Sequence, residues 1–549
     1  MEDQKLENVL NLALSSTEEE REKSLELNVG YEPISREWEL IVKYVRDVSC
    51  IKELAENVIE LLNEFAIVTI KEERIPLLTE CENVVYVEKP KRLYFQIERA
   101  KRASCITSVQ NSPLSLNGKE VLVAVIDSGI DYENAVFRKG DGRTRIKYLW
   151  DQELGLEYSE EEINQALSDG ERLSTRDASG HGTAVAGIAA NIAYESDLLI
   201  VKMGVPMEIG FPRTIELMKG LDYVVRKAID LGKPVAINIS FGNTYGSHDG
   251  SGLLERFIEA ISNTWKSVIC IGTGNEGDSA GHVSGILKES EESVIELAVQ
   301  SNSPTLNVQI WKGYFDEADI SLITPSGIRV GPIREVLGSQ RYSVGNTQIL
   351  LYYGEPSPFS ADQEIYIDFL PRETFIDAGV WRIILTPRRI VNGEYALWLP
   401  SQGALNEGTG FLFPNVERTI TIPATSYGTI AVGAYDDRTM TYAEFSGRGP
   451  AGPGRRAKPD IVAPGVDIRV PVPGGTFAEV SGTSFATPFA TGGAALLMEW
   501  GIVQGNDPFL YGEKVKAYLQ RGAKPFPGES EYPNSRVGYG ALCIENSIP

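Results

Sequence analysis

The chain has 549 residues, of which 42% are hydrophobic and 23% are charged, as is ordinary for a soluble globular protein. At about 150 residues per domain, this length accommodates roughly three or four domains. The formal net charge of −24 disfavours nucleic acids and anionic membranes as partners, because both repel an acidic surface. No run approaches the length of about 18 apolar residues that a membrane-spanning helix needs.

Residues 1–20 lack the basic region and the apolar core of a signal peptide, so we expect synthesis and folding in the cytoplasm. No pair of cysteines has the spacing of a metal site or of a CxxC motif, which favours reduced, mainly structural thiols. The five cysteines are odd in number and widely spaced, at Cys50, Cys81, Cys105, Cys270 and Cys543.

Residues 1–96 have the pattern of a small α+β domain. SREWELIVKYV and NEFAIVTIK are rich in β-branched and aromatic residues and predict strands, and NVVYVEKPKRLYFQ predicts a closing strand. Between the first two, IKELAENVIELLNE at residues 51–64 has the apolar spacing of an amphipathic helix.

Residues 119–290 contain alternating strands and helices. KEVLVAVIDSGID carries six consecutive apolar residues, Val121 to Ile126, as expected of a strand buried on both faces, and LLIVKM, KPVAINISFG and SVICIGTGNEG repeat that form. RTIELMKGLDYVVRKAIDLG and GLLERFIEAISNTW between them predict helices. This alternation predicts an α/β fold with a doubly wound parallel sheet.

Residues 291–410 follow a different pattern. Seven short strand-like runs, from SVIELAVQ to GEYALWLP, come every 10 to 20 residues with turn residues between them. Such spacing predicts an all-β antiparallel sandwich or jelly roll. Residues 411–549 return to the α/β pattern in TIAVGAYDD and KPDIVAPG.

The stretch SGTSFATPFATGGAALL, Ser481 to Leu497, consists almost entirely of small residues. Glycine inside a helix costs about 1 kcal/mol relative to alanine, so packing or function must compensate. One interpretation is a buried helix packed tightly against a sheet. The other is that Ser484 must lie exposed at a helix N-terminus.

Asp127, His181 and Ser484 occur in the chain order Asp, His, Ser, which is the order of the subtilisin type of catalytic triad. Asp127 closes a buried strand at its carboxyl end, where doubly wound sheets build their sites. His181 opens another small-residue helix in DASGHGTAVAGIAA. Each residue alone would favour a structural role, but together they supply a nucleophile, a base and an orienting carboxylate.

VIDSGID, GHGTAVAG, GTGNEG and SGTSFATPFATG resemble the four signature motifs of the subtilisin-like serine proteases. The resemblance implies that Ser484 is the nucleophile, His181 the general base and Asp127 its orienting carboxylate. It also implies that Asn275 and the Ser484 backbone N–H form the oxyanion hole. The walls of the substrate cleft would include Ser240, Gly242, Gly272 and Gly274, with Gly242 and Gly274 leaving room for the substrate backbone.

The spacing of these residues locates an insertion. Their separations are 54, 94 and 209 residues, against about 32, 91 and 66 in subtilisin. The largest surplus therefore falls between Asn275 and Ser484, where the sandwich is predicted. We expect one protease domain, residues 97–290 and 411–549, interrupted by a jelly roll at 291–410.

The same comparison places a maturation site. About 31 residues precede the aspartate in mature subtilisin, which puts the start of a mature enzyme near residue 96. Residues 1–96 would then be a prodomain that assists folding, inhibits the enzyme and is removed by self-cleavage between Gln96 and Ile97. Two alternatives are an uncleaved N-terminal domain and cleavage by a separate protease at Lys101-Arg102.

A prodomain, no export signal and a jelly roll inserted before the serine together resemble the Csp germination proteases of clostridial spores. The resemblance implies a monomer incorporated into the spore, in the cortex or coat region, whose substrate is the zymogen of a cortex-degrading hydrolase. It also implies that the cleaved prodomain can stay bound. The alternatives are a general intracellular subtilase and a catalytically silent signalling protein.

No cofactor and no metal are expected, because the triad mechanism needs none and no DxDxDG-type calcium loop occurs. We interpret the scattered carboxylates of Asp141, Asp151 and Asp177 as a solvated acidic face.

Overall fold

The computed structural model describes residues 3–24, 27–90, 96–205, 211–450 and 457–549. The chain divides into two compact units, Met1–Phe95 and Gln96–Pro549. Within the described ranges, no helix is both long enough and apolar enough to cross a membrane.

The first unit is an α+β domain built on an antiparallel sheet. The sheet runs in the order β1-β2-β4-β3, with β5 also paired to β2, and alternate residues of its strands bury their side chains in one apolar core. The helices and strands of this unit are α1 (Asn8–Ser15), α2 (Glu18–Lys23), β1 (Tyr31–Glu32), β2 (Glu37–Tyr44), α3 (Ser49–Leu54), β3 (Asn57–Leu61), β4 (Phe65–Lys71), α4 (Ile75–Glu80) and β5 (Val84–Glu88).

The helix predicted over residues 51–64 is wrong for most of its length. α3 ends at Leu54, and residues 57–61 form the exposed edge strand β3, which pairs antiparallel with β4. In the connecting loop, Asn63 and Glu64 both have positive φ, at 58° and 60°, which no helix allows. Pairing with β4 therefore overrides the local helical spacing, as is common for β-branched sequences next to a strand.

The second unit contains a mostly parallel sheet in the order β24-β23-β11-β10-β6-β9-β7-β8, with β25 beside β23. Its first helices and strands are α5 (Gln96–Ala103), α6 (Ile106–Gln110), β6 (Leu122–Asp127), β7 (Ile146–Asp151), β8 (Leu156–Ser159), α7 (Glu160–Asp169), α8 (His181–Ile192), β9 (Asp197–Lys202), α9 (Thr214–Asp230), β10 (Val235–Ile239), α10 (Leu253–Ser262) and β11 (Ser267–Gly272). The remaining ones of the α/β part are β23 (Ile430–Asp436), β24 (Thr441–Tyr442), β25 (Ile461–Pro464), β26 (Ile468–Val472), β27 (Thr476–Val480), α11 (Thr483–Met498), α12 (Glu513–Gly522) and α13 (Ile544–Ser547).

Both faces of this sheet are covered by helices, which confirms the doubly wound α/β prediction. On β6, Val123 and Val125 belong to the core shared with α8 and α11, whereas Leu122 and Ala124 belong to the core shared with α9 and α10. β6 pairs in parallel with β9 on one side and β10 on the other. The strand order thus reverses at β6, and ligand sites of such folds lie beyond the carboxyl ends of the strands at this point.

The predicted all-β insertion is a sandwich of two antiparallel sheets around one apolar core. One sheet runs β12-β21-β14-β19-β18-β17 and the other β16-β15-β20-β13-β22. The first strand of the sandwich begins at His282, before the predicted boundary at 291. The strands are β12 (His282–Ile286), β13 (Ser293–Val299), β14 (Leu306–Gly313), β15 (Glu317–Ile323), β16 (Arg329–Ile333), β17 (Gly338–Val344), β18 (Thr347–Tyr353), β19 (Asp362–Pro371), β20 (Gly379–Arg389), β21 (Glu394–Trp398) and β22 (Gly410–Phe411).

The sandwich is fastened to the α/β part by a stack of three rings. Trp398 of β21 lies between His248 and His282, with ring centroids 4.3 and 4.6 Å apart and nearly parallel planes. Burial lowers the pKa of His248 to about 4 and that of His282 to about 3, so both imidazoles are neutral at neutral pH. The hydroxyl of Thr244 also donates to the carbonyl oxygen of Leu399 over 2.7 Å.

The expectation of reduced thiols is wrong for four of the five cysteines. Cys50 and Cys81 form a disulfide in the first unit, and Cys105 and Cys543 form one in the second, 438 residues apart in sequence. Spacing along the chain could not indicate the second pair, because α6 and α13 are brought together only by the fold. Cys270 is free and buried, and burial raises the pKa of its thiol to about 12.

We predict that replacing both Cys105 and Cys543 by alanine lowers the free energy of unfolding of the second unit by about 2–5 kcal/mol, because the disulfide closes a very long loop. Denaturant unfolding of the double variant measures this loss. The Cys50→Ala/Cys81→Ala chain is the matched control and should change only the unfolding of the first unit. Equal stability of wild type and the Cys105/Cys543 double variant would contradict the prediction.

Candidate active site

Asp127 and His181 are hydrogen-bonded at the carboxyl edge of the sheet. Asp127 is the last residue of β6 and is fully buried, and His181 is the first residue of α8. The distance from His181 Nδ1 to Asp127 Oδ1 is 2.7 Å, and the same oxygen accepts the backbone N–H of Ser128, also over 2.7 Å. The carboxylate therefore fixes the ring orientation of the histidine and leaves its Nε2 free to act as a base.

The electrostatic environment favours the protonated form of His181. Burial lowers its pKa, but the charge of Asp127, the hydrogen bond to Asp127 and the charge of Asp177 outweigh burial, and the net pKa lies above the ordinary histidine value. The imidazolium that forms when a base takes a proton is thus stabilised in place.

Ser484 lies in the first turn of α11, as expected, and the rest of that helix is buried beneath the site. Close packing explains the two glycines of this helix. A Cβ atom added at Gly492 would lie 2.6 Å from Ile192 Cγ2 on α8, and a Cβ atom added at Gly493 would lie 2.3 Å from Ile544 Cδ1 on α13. The interpretation of a tightly packed buried helix is therefore correct, and Ser484 lies at the helix N-terminus but is half-buried, not exposed. The helix is packed tightly against its neighbours, and its first turn carries the serine to the carboxyl edge.

The Ser484 hydroxyl donates to the carbonyl oxygen of Ser240 over 3.3 Å, and the Ser240 hydroxyl donates to the carbonyl oxygen of Ser484 over 3.0 Å. Within the described residues it makes no hydrogen bond to His181. The imidazole nevertheless lies beside α11, since its ring centroid is 5.5 Å from that of Phe485. Rotation about the Cα–Cβ bond of Ser484 reorients the hydroxyl, and catalytic hydrogen bonds often tighten only when substrate is bound.

Asn275 is held against the start of the same helix. Its Oδ1 accepts the backbone N–H of Thr483 over 3.0 Å and the Thr483 hydroxyl over 3.1 Å. Because both donors face the oxygen, the amide NH₂ group is left to donate elsewhere. This side chain and the first-turn N–H of Ser484 are the groups that an oxyanion hole requires.

The glycines of the two cleft walls are close to a threonine that sequence reasoning missed. A Cβ at Gly242 would lie 2.3 Å from Thr421 Oγ1, and one at Gly274 would lie 2.4 Å from Thr421 Cγ2. A Cβ at Gly272 would lie 3.0 Å from Thr487 Oγ1 of α11. These glycines therefore accommodate neighbouring side chains of the chain itself, and the room that Gly242 and Gly274 would leave for a substrate backbone stays a prediction.

The interpretation of three carboxylates as a solvated face is wrong for two of them. Asp141 is exposed, but Asp151 is fully buried and Asp177 is only 7% exposed. Asp151 accepts backbone N–H groups of its own loop and pairs with Lys202 at 3.4 Å, whereas Asp177 lies beside His181. In the described ranges, no three His, Cys, Asp or Glu side chains are grouped so that they could hold a metal ion.

The predicted cleavage site lies at the start of the second unit. Gln96 and Ile97 form the beginning of α5, and Leu93–Phe95 lie outside the described residues. Beyond them, Arg99 makes a bidentate ion pair with Asp437, at 2.6 and 3.2 Å.

Comparisons with known proteins agree with this architecture. The subtilase family model matches residues 118–308 and 406–540, and the model of the Csp protease B prodomain matches residues 4–91. The fold is that of the subtilisin-like serine proteases, and the chain belongs to the subtilase family. The gap in the match falls within the sandwich.

Individual relatives extend the comparison. The solved structure of the Clostridium perfringens CspB protease is 38% identical, with a TM-score of 0.77 over 82% of this chain and 96% of that one. Serine protease AprX of Bacillus subtilis (strain 168) is 38% identical over 152 residues, 24% of this chain and 32% of its own length. Subtilisin of Bacillus pumilus is 41% identical over 105 residues, 18% of this chain and 34% of its own length. The chain thus spans about a third of these two curated relatives.

We predict that Gly242→Ala lowers kcat/KM by about tenfold or more, since its Cβ and the Thr421 side chain cannot both fit and the cleft wall must move. Gly403→Ala is the matched control, because a Cβ there meets nothing within 4 Å. Adding Thr421→Gly to Gly242→Ala should restore part of the loss, as expected for two residues in contact. Full activity of Gly242→Ala alone would show that this contact does not limit the wall.

Proposed function

We propose that the chain is a serine endopeptidase in which Asp127, His181 and Ser484 form the catalytic triad. The observation that carries the proposal is the 2.7 Å hydrogen bond between buried Asp127 and His181, at the edge of the sheet where α11, the helix of Ser484, begins. A buried carboxylate that orients a histidine beside an accessible serine is the arrangement that acyl transfer needs.

In the proposed mechanism, Ser484 Oγ attacks the carbonyl carbon of a peptide bond while His181 Nε2 takes the hydroxyl proton. Asn275 Nδ2 and the Ser484 N–H donate to the oxyanion of the tetrahedral intermediate. As the C–N bond breaks, His181 returns the proton to the leaving amine, and water then hydrolyses the acyl-enzyme by the same steps. Asp127 stays ionised throughout and stabilises the imidazolium.

The proposed self-cleavage between Gln96 and Ile97 requires a change in the backbone of this segment. Proteases bind an extended strand, whereas the bond lies at the start of α5. The first turn of α5 must therefore unwind for cleavage or form after it. Downstream, the Arg99–Asp437 ion pair and the Cys105–Cys543 disulfide would keep the new N-terminus attached to the second unit.

The narrower proposal is that the enzyme activates the zymogen of a cortex-degrading hydrolase during spore germination. Its support is the match to the Csp protease B prodomain model together with the likeness to the C. perfringens CspB protease over most of both chains. The location in the spore, the retention of the cleaved prodomain and the monomeric state are parts of the same proposal.

A second candidate, a catalytically silent binding protein, is favoured by one observation. The Ser484 hydroxyl bonds to the Ser240 carbonyl instead of to His181. The two candidates differ in the reactivity of this hydroxyl, which only the protease would activate.

We predict that the wild-type chain is cut near Gln96 and labelled by a fluorophosphonate probe, and that Ser484→Ala is neither cut nor labelled while it keeps its fold. Intact-mass analysis of both proteins, prepared in parallel, measures the first result, and gel fluorescence measures the second. Circular dichroism of the variant is the control for folding. An uncut, unlabelled wild-type chain would favour the silent binding protein.

We also predict that Asn275→Leu lowers kcat by about 10²–10³ with little change in KM, since the amide donates to the oxyanion only in the transition state. Steady-state kinetics on a peptide substrate provide the measurement. Because the side chain also accepts from Thr483, thermal unfolding must show that α11 keeps its stability. A loss of less than tenfold would exclude Asn275 as an oxyanion donor.

A further inference from the structure

Asp177 is a second buried carboxylate near the N-terminus of α8. It lies three residues before Gly180, the N-cap residue of the helix, and four before His181, its first residue. Its Oδ1 accepts the Ser128 hydroxyl at 2.9 Å and the Gly180 N–H at 3.0 Å. Its Oδ2 accepts the Thr183 N–H at 2.8 Å and the Thr183 hydroxyl at 2.6 Å. The Ser179 hydroxyl lies 3.3 Å from Oδ1. Every group that faces the carboxylate at hydrogen-bond distance is a donor.

The first N–H groups of α8 are capped by a connected set of side chains. Helix geometry leaves these groups without intrahelical acceptors. The His181 N–H donates to Ser179 Oγ at 3.2 Å, the Gly182 N–H to Ser128 Oγ at 2.9 Å, and the Thr183 N–H to Asp177. The Ser128 hydroxyl donates to Asp177, and the Ser179 hydroxyl lies 2.8 Å from Ser128 Oγ and 3.3 Å from Asp177 Oδ1, so this carboxylate connects all three caps directly or through Ser128.

The same connections close a ring around the proposed base. Ser128 directly follows Asp127, and its N–H donates to the Asp127 oxygen that accepts from His181. The ring therefore runs from Asp127 through Ser128 and Asp177 to the start of α8, and returns through His181 to Asp127. A shift of the helix relative to β6 would break several of these bonds at once.

We propose that Asp177 is a positioning residue, which holds His181 in register with Asp127 and presents a second negative charge to the imidazolium formed during catalysis. This inference rests on the proposed protease function. Asp177 acts through the helix and through its charge, since its oxygens are occupied by the capping donors. The surroundings of Asp177 require a carboxylate, which accepts hydrogen bonds at both oxygens. Asparagine would place an NH₂ group, which can only donate, against N–H or O–H groups that also donate.

A test must separate the effect of the Asp177 charge from the effects of the other charged groups near His181. The cavity beside Asp177 is lined by Asp131, Glu133, Arg172 and Arg176, and Arg172 is paired with Glu133 at 3.3 Å. Asp127 also carries a negative charge beside His181, with its Oδ1 2.7 Å from the ring Nδ1. Asp131 is the matched control carboxylate, since it lines the same cavity and its Oδ2 accepts the Gly474 N–H at 3.0 Å, whereas the charges that raise the pKa of His181 are those of Asp127 and Asp177.

The test is the titration of histidine side chains by NMR in the full chain carrying Ser484→Ala. The chain has three histidines, and burial keeps the pKa values of His248 and His282 at about 4 and about 3, so a titration near neutral pH belongs to His181. His181→Gln confirms that assignment. We expect Asp177→Asn to move the His181 midpoint to lower pH, and Asp131→Asn to leave it in place. A folded Asp177→Asn chain with an unmoved midpoint would overturn the proposal.

Kinetics on the chain with Ser484 intact provide the second measurement. We expect Asp177→Asn to lower the plateau of kcat/KM roughly 10- to 100-fold and to move its acid limb to lower pH, because activity needs neutral His181. If Asp177→Asn does not fold, Ser128→Ala breaks the ring without removing the charge: the plateau should fall and the acid limb should stay. An unchanged plateau would overturn the positioning role.

The titration does not depend on turnover, whereas probe labelling of wild type does. A midpoint that responds to Asp177 in an unlabelled protein would therefore reject the protease function alone.

Discussion

The constraint on which the second unit depends is the buried charge of Asp127. An ionised carboxylate with no exposed surface is strongly destabilising unless hydrogen bonds and a partner compensate. Here the compensating donors are the Ser128 N–H and the His181 ring, while Asp127 Oδ2 has no hydrogen-bond partner within the described residues. The protein therefore needs His181 close to Asp127 for its own stability, and the orientation required for general-base chemistry follows from that need.

The topology explains why the carboxylate can be buried at this point. The strand order reverses at β6, so helices from both halves of the α/β part converge beyond its carboxyl end. α8 and α11 approach closely because Gly492 leaves no side chain between itself and Ile192. The small residues that are unfavourable for an isolated helix thus become favourable once two helices must meet under one site.

The sequence predicts those parts of the protein whose signals are local. Uninterrupted apolar runs give the buried strands, and the motifs around Asp127, His181 and Ser484 indicate the site because each is short and continuous. The failed helix at 51–64 shows the limit of local pattern, since pairing with β4 decides the conformation of Val58 and Ile59. The disulfide of Cys105 with Cys543 and the contact of Thr421 with Gly242 join residues far apart in sequence, so no local signal carries them.

Asp177 marks the same limit within the site. In the sequence it is one acid among many in a strongly acidic chain, and its isolation from other carboxylates suggests a surface role. Only the fold shows that five donors surround it, of which one belongs to Ser128, next to Asp127, and four lie within two residues of His181. A charge that is common on the surface becomes informative when it is buried and saturated with donors.

The inserted sandwich contributes to the site through both of its ends. The chain enters the sandwich after Asn275, the proposed oxyanion donor, and leaves it before Thr421, which contacts Gly242 and Gly274. The attachment of the sandwich therefore bears on the positions of both residues. The backbone N–H of Gln402 donates to the carboxylate of Glu276, next to Asn275, at 3.2 Å.

The ring stack at Trp398 strengthens this attachment in a pH-dependent way. Burial lowers the pKa of His248 to about 4 and that of His282 to about 3 in the folded chain. In the unfolded chain both imidazoles bind a proton near pH 6.5. The stability that the neutral stack contributes is therefore complete above pH 6.5 and is lost as the pH falls toward 4. Neutral His181, which the proposed chemistry needs, forms at still higher pH, because its pKa is raised. At any pH at which His181 is neutral, the ring stack that joins the sandwich to the α/β part therefore already makes its full contribution to stability.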